Sequence, residues 1–411
     1  MNIAFVVPYV PNKIRTRPYN LIRHLAKAGH TVVVFTVGSG AREEADAAAL
    51  QAECSKVYFQ KLPSWRSALN CLAALPTRVP LQSIYSWDAE LARQLTSVLK
   101  GINPRFDVVH VEHLRGSQYG RHVASHIPGI PVVWDSVDCI SHLFEQAGRN
   151  GSTFFGRIVT QFELGRTRRA EAELIRFFDH VLTTSVVDKN ALLGLPSANG
   201  KPSALSVLPG GVDLDYFHPN PDVQPEPDTL VFSGKMSYHA NIAMASHLVR
   251  EIMPRIWQKR PRVRLIIAGK DPSQSIIEFG ENPLIEVTGT VMDIRPFLWG
   301  AAVAVVPLVY GAGIQNKIIE AMACGTPVVT NSRALSALHL TPDRDVLVGD
   351  DTDSFTAQIL RLLETADLRT KVGRAGESYV RKHHNWIRIT EQLVDIYKQA
   401  AEAKSKRKSI N

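Results

Sequence analysis

No run of eighteen apolar residues occurs anywhere in this 411-residue chain, which leaves out a membrane-spanning helix. Cysteine is scarce: Cys54, Cys71, Cys139 and Cys324 are scattered, with no C-x-x-C spacing. That scatter argues against a disulfide framework and a zinc site, and a reducing cytoplasm fits it. Low-complexity tracts and repeats of solenoid length are also missing. The opening "MNIAFVVPYV" has neither a basic start nor a small-residue cleavage site, so it reads as a first strand rather than a signal peptide.

What is present is ordinary for a globular protein, with 45% apolar and 21% charged residues. The formal net charge of +8 favours anionic partners without choosing among nucleotides, nucleic acid and a membrane surface. Strand and helix alternate along both halves, which predicts an α/β protein with parallel sheets covered on both faces. In the first half the strand-like runs are "NIAFVV", "TVVVFT", "DVVHV", "PVVWDS" and "DHVLTTS", with helical stretches at Tyr19–Ala28 and Asp88–Leu99. In the second half they are "TLVFSG", "VRLIIAG", "IEVTG", "VAVVPL", "PVVTN" and "VLVG". Five prolines between Leu208 and Leu230 erase any period, which places an inter-domain connection between Gly211 and Pro227. The end of the chain reads as a helix, Trp386–Ala403, spaced by Ile387, Leu393, Ile396 and Tyr397. The frayed basic tail "KSKRKSIN" follows it.

Two doubly wound domains joined in this way place a crevice at the carboxyl ends of their strands. The loops after "LVF", "LII" and "IEV", reading "SGKMSYHAN", "AGKDPS" and "TGTVMD", each contain glycine, and two contain lysine. "GAGIQNKIIEAMACGTPVV" (Gly311 to Val329) adds a glycine-flanked loop opening a helix, which suits a phosphate seat made of backbone N–H groups and ammonium charge.

Those stretches, taken in order with "VLPGGVDLDYFHP", "LVFSGKM", "LIIAGKDP" and "VTGTVMDIRPFL", resemble the retaining glycosyltransferases of family 4. The resemblance implies the GT-B fold: two Rossmann-like doubly wound domains facing an inter-domain cleft. Residues 1–211 would bind the acceptor and 212–385 the nucleotide-sugar donor, while 386–411 would form a C-terminal helix packing back on the first domain, plus the basic tail. It implies transfer of a sugar to a glycan or lipid-linked acceptor with retention, without a metal or other cofactor, in cell-surface polysaccharide biosynthesis. Leu164–Phe178, Trp65–Leu75 and the basic tail extend this to a cytoplasmic protein working against an anionic membrane without crossing it.

Matched position by position, the resemblance gives Glu320 the donor ribose and makes Lys235, after Gly234, a diphosphate-binding cation. The companion lysine would fall at Ala240 and is missing, so Lys317, with Gln315 nearby, stands in. The first acid of the E-x7-E motif falls at Ala312. That leaves Gly311 and the backbone N–H groups of Gly313 and Ile314 to face the sugar. In the first half Asn12, Lys13, Arg15 and Arg17 replace the usual glycine pair. The histidine expected after "PVV" falls at Val137, before Asp138. His113 is then either a sugar contact or a structural histidine, and Asp138 either catalytic or a cap. Trp65, Tyr85 and Trp87 read as packing residues, with acceptor contact as the alternative.

Other readings fare worse. A nicotinamide oxidoreductase lacks its fingerprint, because "GAGIQN" has no third glycine and "VVPYVPNK" none at all. A nucleic-acid partner finds no recognised module. A catalytically silent nucleotide-sugar-binding protein remains, motivated by Ala240 and Ala312.

Overall fold

The computed structural model describes residues 1–12, 16–101, 105–149, 154–196, 202–310, 314–335 and 337–410. The chain forms two compact units, Met1–Gly210 with Trp386–Asn411, and Gly211–Asn385. The first is built on β1 (Asn2–Val7), β2 (Thr31–Gly38), β3 (Lys56–Lys61), β4 (Val108–Glu112), β5 (Val132–Val137), β6 (His180–Thr183) and β7 (Ala204–Val207). Their spatial order is β3-β2-β1-β4-β5-β6-β7, all parallel. The second unit carries β8 (Glu226–Ser233), β9 (Arg264–Ala268), β10 (Ile285–Gly289), β11 (Ala301–Val306), β12 (Val328–Thr330) and β13 (Leu347–Val348). These run β10-β9-β8-β11-β12-β13, again all parallel. Central strands such as β11, buried along its whole length, need apolar residues at every position because helices cover both faces.

Two strands, β3 and β7, escape the sequence reading, and both are sheet edges. Their residues are half-buried or exposed, so no continuous apolar run marks them. The expected helices appear as Thr16–Lys27 and Ala89–Lys100, the second capped by Asp88, whose carboxylate accepts the Glu90 and Leu91 N–H groups.

The end of the chain differs from expectation twice. Its helix runs from Trp386 to Ile410, so the basic segment is helical rather than frayed, and Lys404 Nζ lies 3.0 Å from Asp179. Its buried face is Trp386, Ile389, Leu393, Ile396, Tyr397 and Ala400, which pack on Leu21, Ile22 and Leu25. Ile387 points to solvent at 58% exposure, because the apolar stripe is one position out of register with it.

The proline-rich stretch is not a free connection. Val212 N–H donates to the His384 carbonyl, Trp299 Nε1 donates to the His218 carbonyl, and Tyr216 donates its hydroxyl to Asp293. Arg295 sits 4.1 Å over the Tyr216 ring, donates to the Tyr216 carbonyl, and holds the Asp293 carboxyl well below the usual range. The second unit therefore begins at Gly211 and runs to Asn385, its start fixed by contacts that no local pattern encodes.

Candidate functional site

Parallel sheets place ligands beyond the carboxyl ends of their strands, and each unit gathers chemistry there. In the second unit β8 is followed by Gly234 and β9 by Gly269, with φ of 149° and 150°, values that favour glycine. A Cβ on Gly269 would stand 1.7 Å from the Gly234 carbonyl oxygen, so the two turns touch backbone to backbone. Gly234 N–H donates to Ala268 O at 3.0 Å. That group extends the sheet instead of meeting a phosphate, and the lack of a Gly234 side chain leaves room for its neighbours. Those neighbours are Asn241 and Lys317: a Cβ there would lie 2.8 Å from Asn241 Nδ2 and 3.3 Å from Lys317 Cε.

Lys317 opens the helix Asn316–Ala323, which begins at Gln315 with no side-chain cap. Its ammonium donates to Asn241 Oδ1 at 2.5 Å and lies 5.2 Å from the centroid of the Phe232 ring. Burial lowers its pKa to about 8, with the Glu320 charge opposing that shift. Glu320, one turn on, is half-buried, and its carboxyl is pushed up to about 7 by burial, against the pull of Lys317. Lys235 is exposed, while its carbonyl accepts from Asn241 Nδ2 at 2.9 Å. Ile314 packs partly buried against the core. Ala240 is buried too, so a lysine there could not simply project into solvent. Gly311, Ala312 and Gly313 lie outside the described residues.

The helix stops where the sequence breaks. Gly325, at φ 79°, donates to Met322 O, and Thr326 N–H donates to Ala321 O, which turns the chain into β12. Uncapped helix start, lysine and glutamate thus sit together, with Lys317 beside Gly234 at the end of β8. A cavity of about 620 Å³ near the end of edge strand β10 is a different place: its lining includes Glu278, Glu281 and Glu286 and no cation, which does not suit a diphosphate.

In the first unit His113 (φ 62°) and Val137 (φ 66°) hold strained backbone at the ends of the adjacent strands β4 and β5. For a β-branched residue this conformation is a genuine outlier, and such strain clusters at functional sites. His113 is half-buried, and burial lowers its imidazole to about 4, so it is neutral at pH 7. Asp138 is pushed up to about 6 by burial and by the Asp188 charge, and it accepts from the Thr184 hydroxyl at 3.4 Å. It caps no helix: the following backbone N–H groups go to Asp188 (Cys139) and Glu171 (Ile140 and Ser141). Arg17 is not displayed to a ligand. Its guanidinium donates to buried Asp135 at 2.8 and 3.0 Å and to the Pro209 carbonyl at 3.1 Å, which neutralises a carboxylate in the core. Asn12 Nδ2 donates to Asp46. Lys13 and Arg15 lie outside the described residues.

Sequence reasoning missed Asn241, Glu112 and Asp135, and also the pair His239–Tyr310, whose rings stack at 5.5 Å and share a 2.7 Å hydrogen bond. For the two acids a signal existed: a carboxylate set in an apolar, buried parallel strand must find a partner. Glu112 Oε1 accepts the Tyr9 hydroxyl at 2.7 Å, and Oε2 has no hydrogen-bond partner among the described residues. Burial, then the Asp135 charge, pushes Glu112 up to about 8. Its folded value thus exceeds the 4.5 of an exposed glutamate, so the folded chain holds the extra proton. The stability linked to that proton is complete below about pH 4.5 and is lost as pH rises through about 8. Glu112→Gln should therefore flatten part of the decline in unfolding free energy across that window in urea melts at stepped pH. An unchanged slope would show that Glu112 does not carry that proton.

Among the described residues no cluster of three or more His, Cys, Asp or Glu is placed to hold a metal ion, and no helix is long and apolar enough to cross a membrane. Residues 15–216 match the family described as Glycosyltransferase Family 4, and residues 227–365 match Glycosyl transferases group 1. A GDP-mannose-dependent monoacylated alpha-(1-6)-phosphatidylinositol monomannoside mannosyltransferase of Corynebacterium glutamicum is 27% identical over 51% of this chain and 60% of its own length. An MMP alpha-(1->4)-mannosyltransferase of Mycolicibacterium hassiacum is 24% identical over 48% and 49%. The chain thus spans about half to three-fifths of the length of these relatives. Among solved structures, sucrose-phosphate synthase of Thermosynechococcus elongatus superposes with a TM-score of 0.67 at 17% identity, over 98% of this chain and 100% of that one. HepE of Anabaena in complex with UDP and glucose gives 0.66 at 14% identity, over 97% and 100%. With two parallel-sheet units, the strand-end lysine and glutamate, and both halves matched in order, this chain belongs to the glycosyltransferases of family 4, on the GT-B fold.

Proposed function

We propose that this chain moves a sugar from a nucleotide-sugar donor to a hydroxyl of a glycan or lipid-linked acceptor, with retention, in the assembly of cell-surface polysaccharide or glycolipid. One observation carries the reading: Lys317 and Glu320 stand one turn apart on an uncapped helix at the end of a parallel strand, the lysine anchored by Asn241. Lys317, with exposed Lys235 beside it in the turn after β8, neutralises the donor diphosphate, and Glu320 accepts the ribose hydroxyls. The acceptor oxygen attacks the anomeric carbon on the face from which the diphosphate departs. The leaving phosphate oxygen takes the hydroxyl proton, so configuration is kept and the protein supplies position and charge. Asp138 and His113 line the acceptor end of the first unit's strands. No metal is needed, since ammonium groups do the neutralising. Relatives named for phosphatidylinositol-based acceptors support the lipid-linked alternative.

Thermal shift against a panel of UDP- and GDP-sugars, followed by mass spectrometry with lipid and glycan acceptors, tests it. A raised melting temperature with one donor, together with product of retained configuration by NMR, is the expected result. A shift without transfer would favour a nucleotide-sugar-binding protein without activity, and no shift with any donor would remove the donor site.

A further inference from the structure

We propose that the helix Ser64–Ala74 and the arginine-lined cavity beside it form a docking surface for an anionic lipid bilayer, with a headgroup phosphate seated among Arg78, Arg121 and Arg169. The inference rests on the lipid-linked reading of the acceptor for its purpose, and on this surface alone for its geometry.

The helix is turned inside out. Only Ser67 and Ala74 are buried on it, whereas Trp65, Leu69 and Leu72 are 63%, 54% and 59% exposed. Their spacing of four and three residues puts them on one face, and Leu75 continues the patch. The expectation that Trp65 packs inside is thus wrong. Tyr85 is likewise exposed, and of the three aromatics only Trp87 packs, against Tyr119. A row of large apolar side chains at this exposure marks an interaction site rather than a solvated face.

The patch is also held in place. Arg166 donates to the carbonyls of Ala74, Leu75 and Val79, so its charge caps the carboxyl end of the helix, and its guanidinium lies 4.1 Å over exposed Phe162. Phe162 therefore joins the apolar area beside a cation.

Charge decides which partner fits. A cavity of about 250 Å³ in the same unit, starting three residues past Leu75, is lined by Arg78, Arg121 and Arg169 together with Ser83, Ser117 and Gln118. Arg121 shares a 3.0 Å pair with Glu173, the one acid of that lining. Arg78 and Arg169 are exposed and have no acidic partner among the described residues. Tryptophan and leucine on one face, with unpaired arginines next to them, match the layered polarity of a bilayer interface: acyl chain, then phosphate. A protein partner would have to reproduce that layering in a single surface.

The test uses the full chain with vesicles of phosphatidylcholine alone and with added phosphatidylglycerol, at low and high salt. Wild type should co-sediment with the anionic vesicles and be released by salt. Trp65→Ser combined with Leu69→Ser and Leu72→Ser, and separately Arg78→Glu with Arg169→Glu, should each weaken binding by about tenfold or more. Both variants should melt as wild type and keep its thermal shift with nucleotide sugar, because the donor residues lie in the other unit. Wild type that ignores anionic vesicles at low salt overturns the proposal, as does either variant binding like wild type, which would pass the role to the basic C-terminal helix. A wild-type dimer dispersed by the apolar variant would assign the patch to a second copy and overturn it too. Failure of the donor reading shows separately, as a missing nucleotide shift alongside intact vesicle binding.

Discussion

Lys317→Met should yield a folded chain whose turnover falls by about two to three orders of magnitude, the usual loss when a preorganised charge is removed from a transition state. Lys317 is 9% exposed, and its ammonium is fixed by Asn241 and stands above the Phe232 ring beside Gly234. It costs little to reorganise when the glycosidic bond breaks, so its effect belongs in kcat more than in KM. Methionine fills a similar volume, and an ammonium held at about 8 by burial is already a strained charge. The melting temperature should therefore hold or rise. The pH profile provides a second check. Binding a diphosphate raises the lysine pKa, so the complex takes up a proton, and wild-type donor affinity should decline above about pH 8. In Lys317→Met that limb should vanish. A variant that raises KM alone, or that loses stability instead of turnover, would place the phosphate seat elsewhere.

Glu320→Gln should lower kcat/KM for the donor about 10- to 150-fold, from the loss of a charged acceptor worth roughly 1.5–3 kcal/mol. Glutamine keeps the shape, so packing around Ile318 and Ile319 is preserved while the carboxylate is lost. A donor analogue lacking both ribose hydroxyls separates the roles: wild type and Glu320→Gln should bind it equally, since neither can make the missing bonds. If the substitution costs as much with that analogue as with the natural donor, Glu320 acts through the helix and not through the ribose. At about 7 the carboxyl is partly protonated near neutrality, so donor binding should strengthen as pH rises through that value.

Local pattern alone determined most of the framework. Apolar runs set the central strands of both sheets, because a strand covered on both faces has to be apolar throughout. The edge strands β3 and β7 carry no such demand, and only pairing with β2 and β6 makes them strands. Lys317 and Glu320 were legible because they lie on one helix, where a spacing of three residues fixes one face. Asn241 was not, since its bond to Lys317 spans 76 positions. Arg17 reads from sequence as a cation for the acceptor cleft, and only a partner 118 positions away turns it into the counter-ion of Asp135. The same holds for the strained backbone at His113 and Val137, and for Ile387 facing solvent. Periodicity reports which residues share a face, but which face meets the sheet and which charges meet each other depends on contacts far apart in the chain, and those form only in the folded protein.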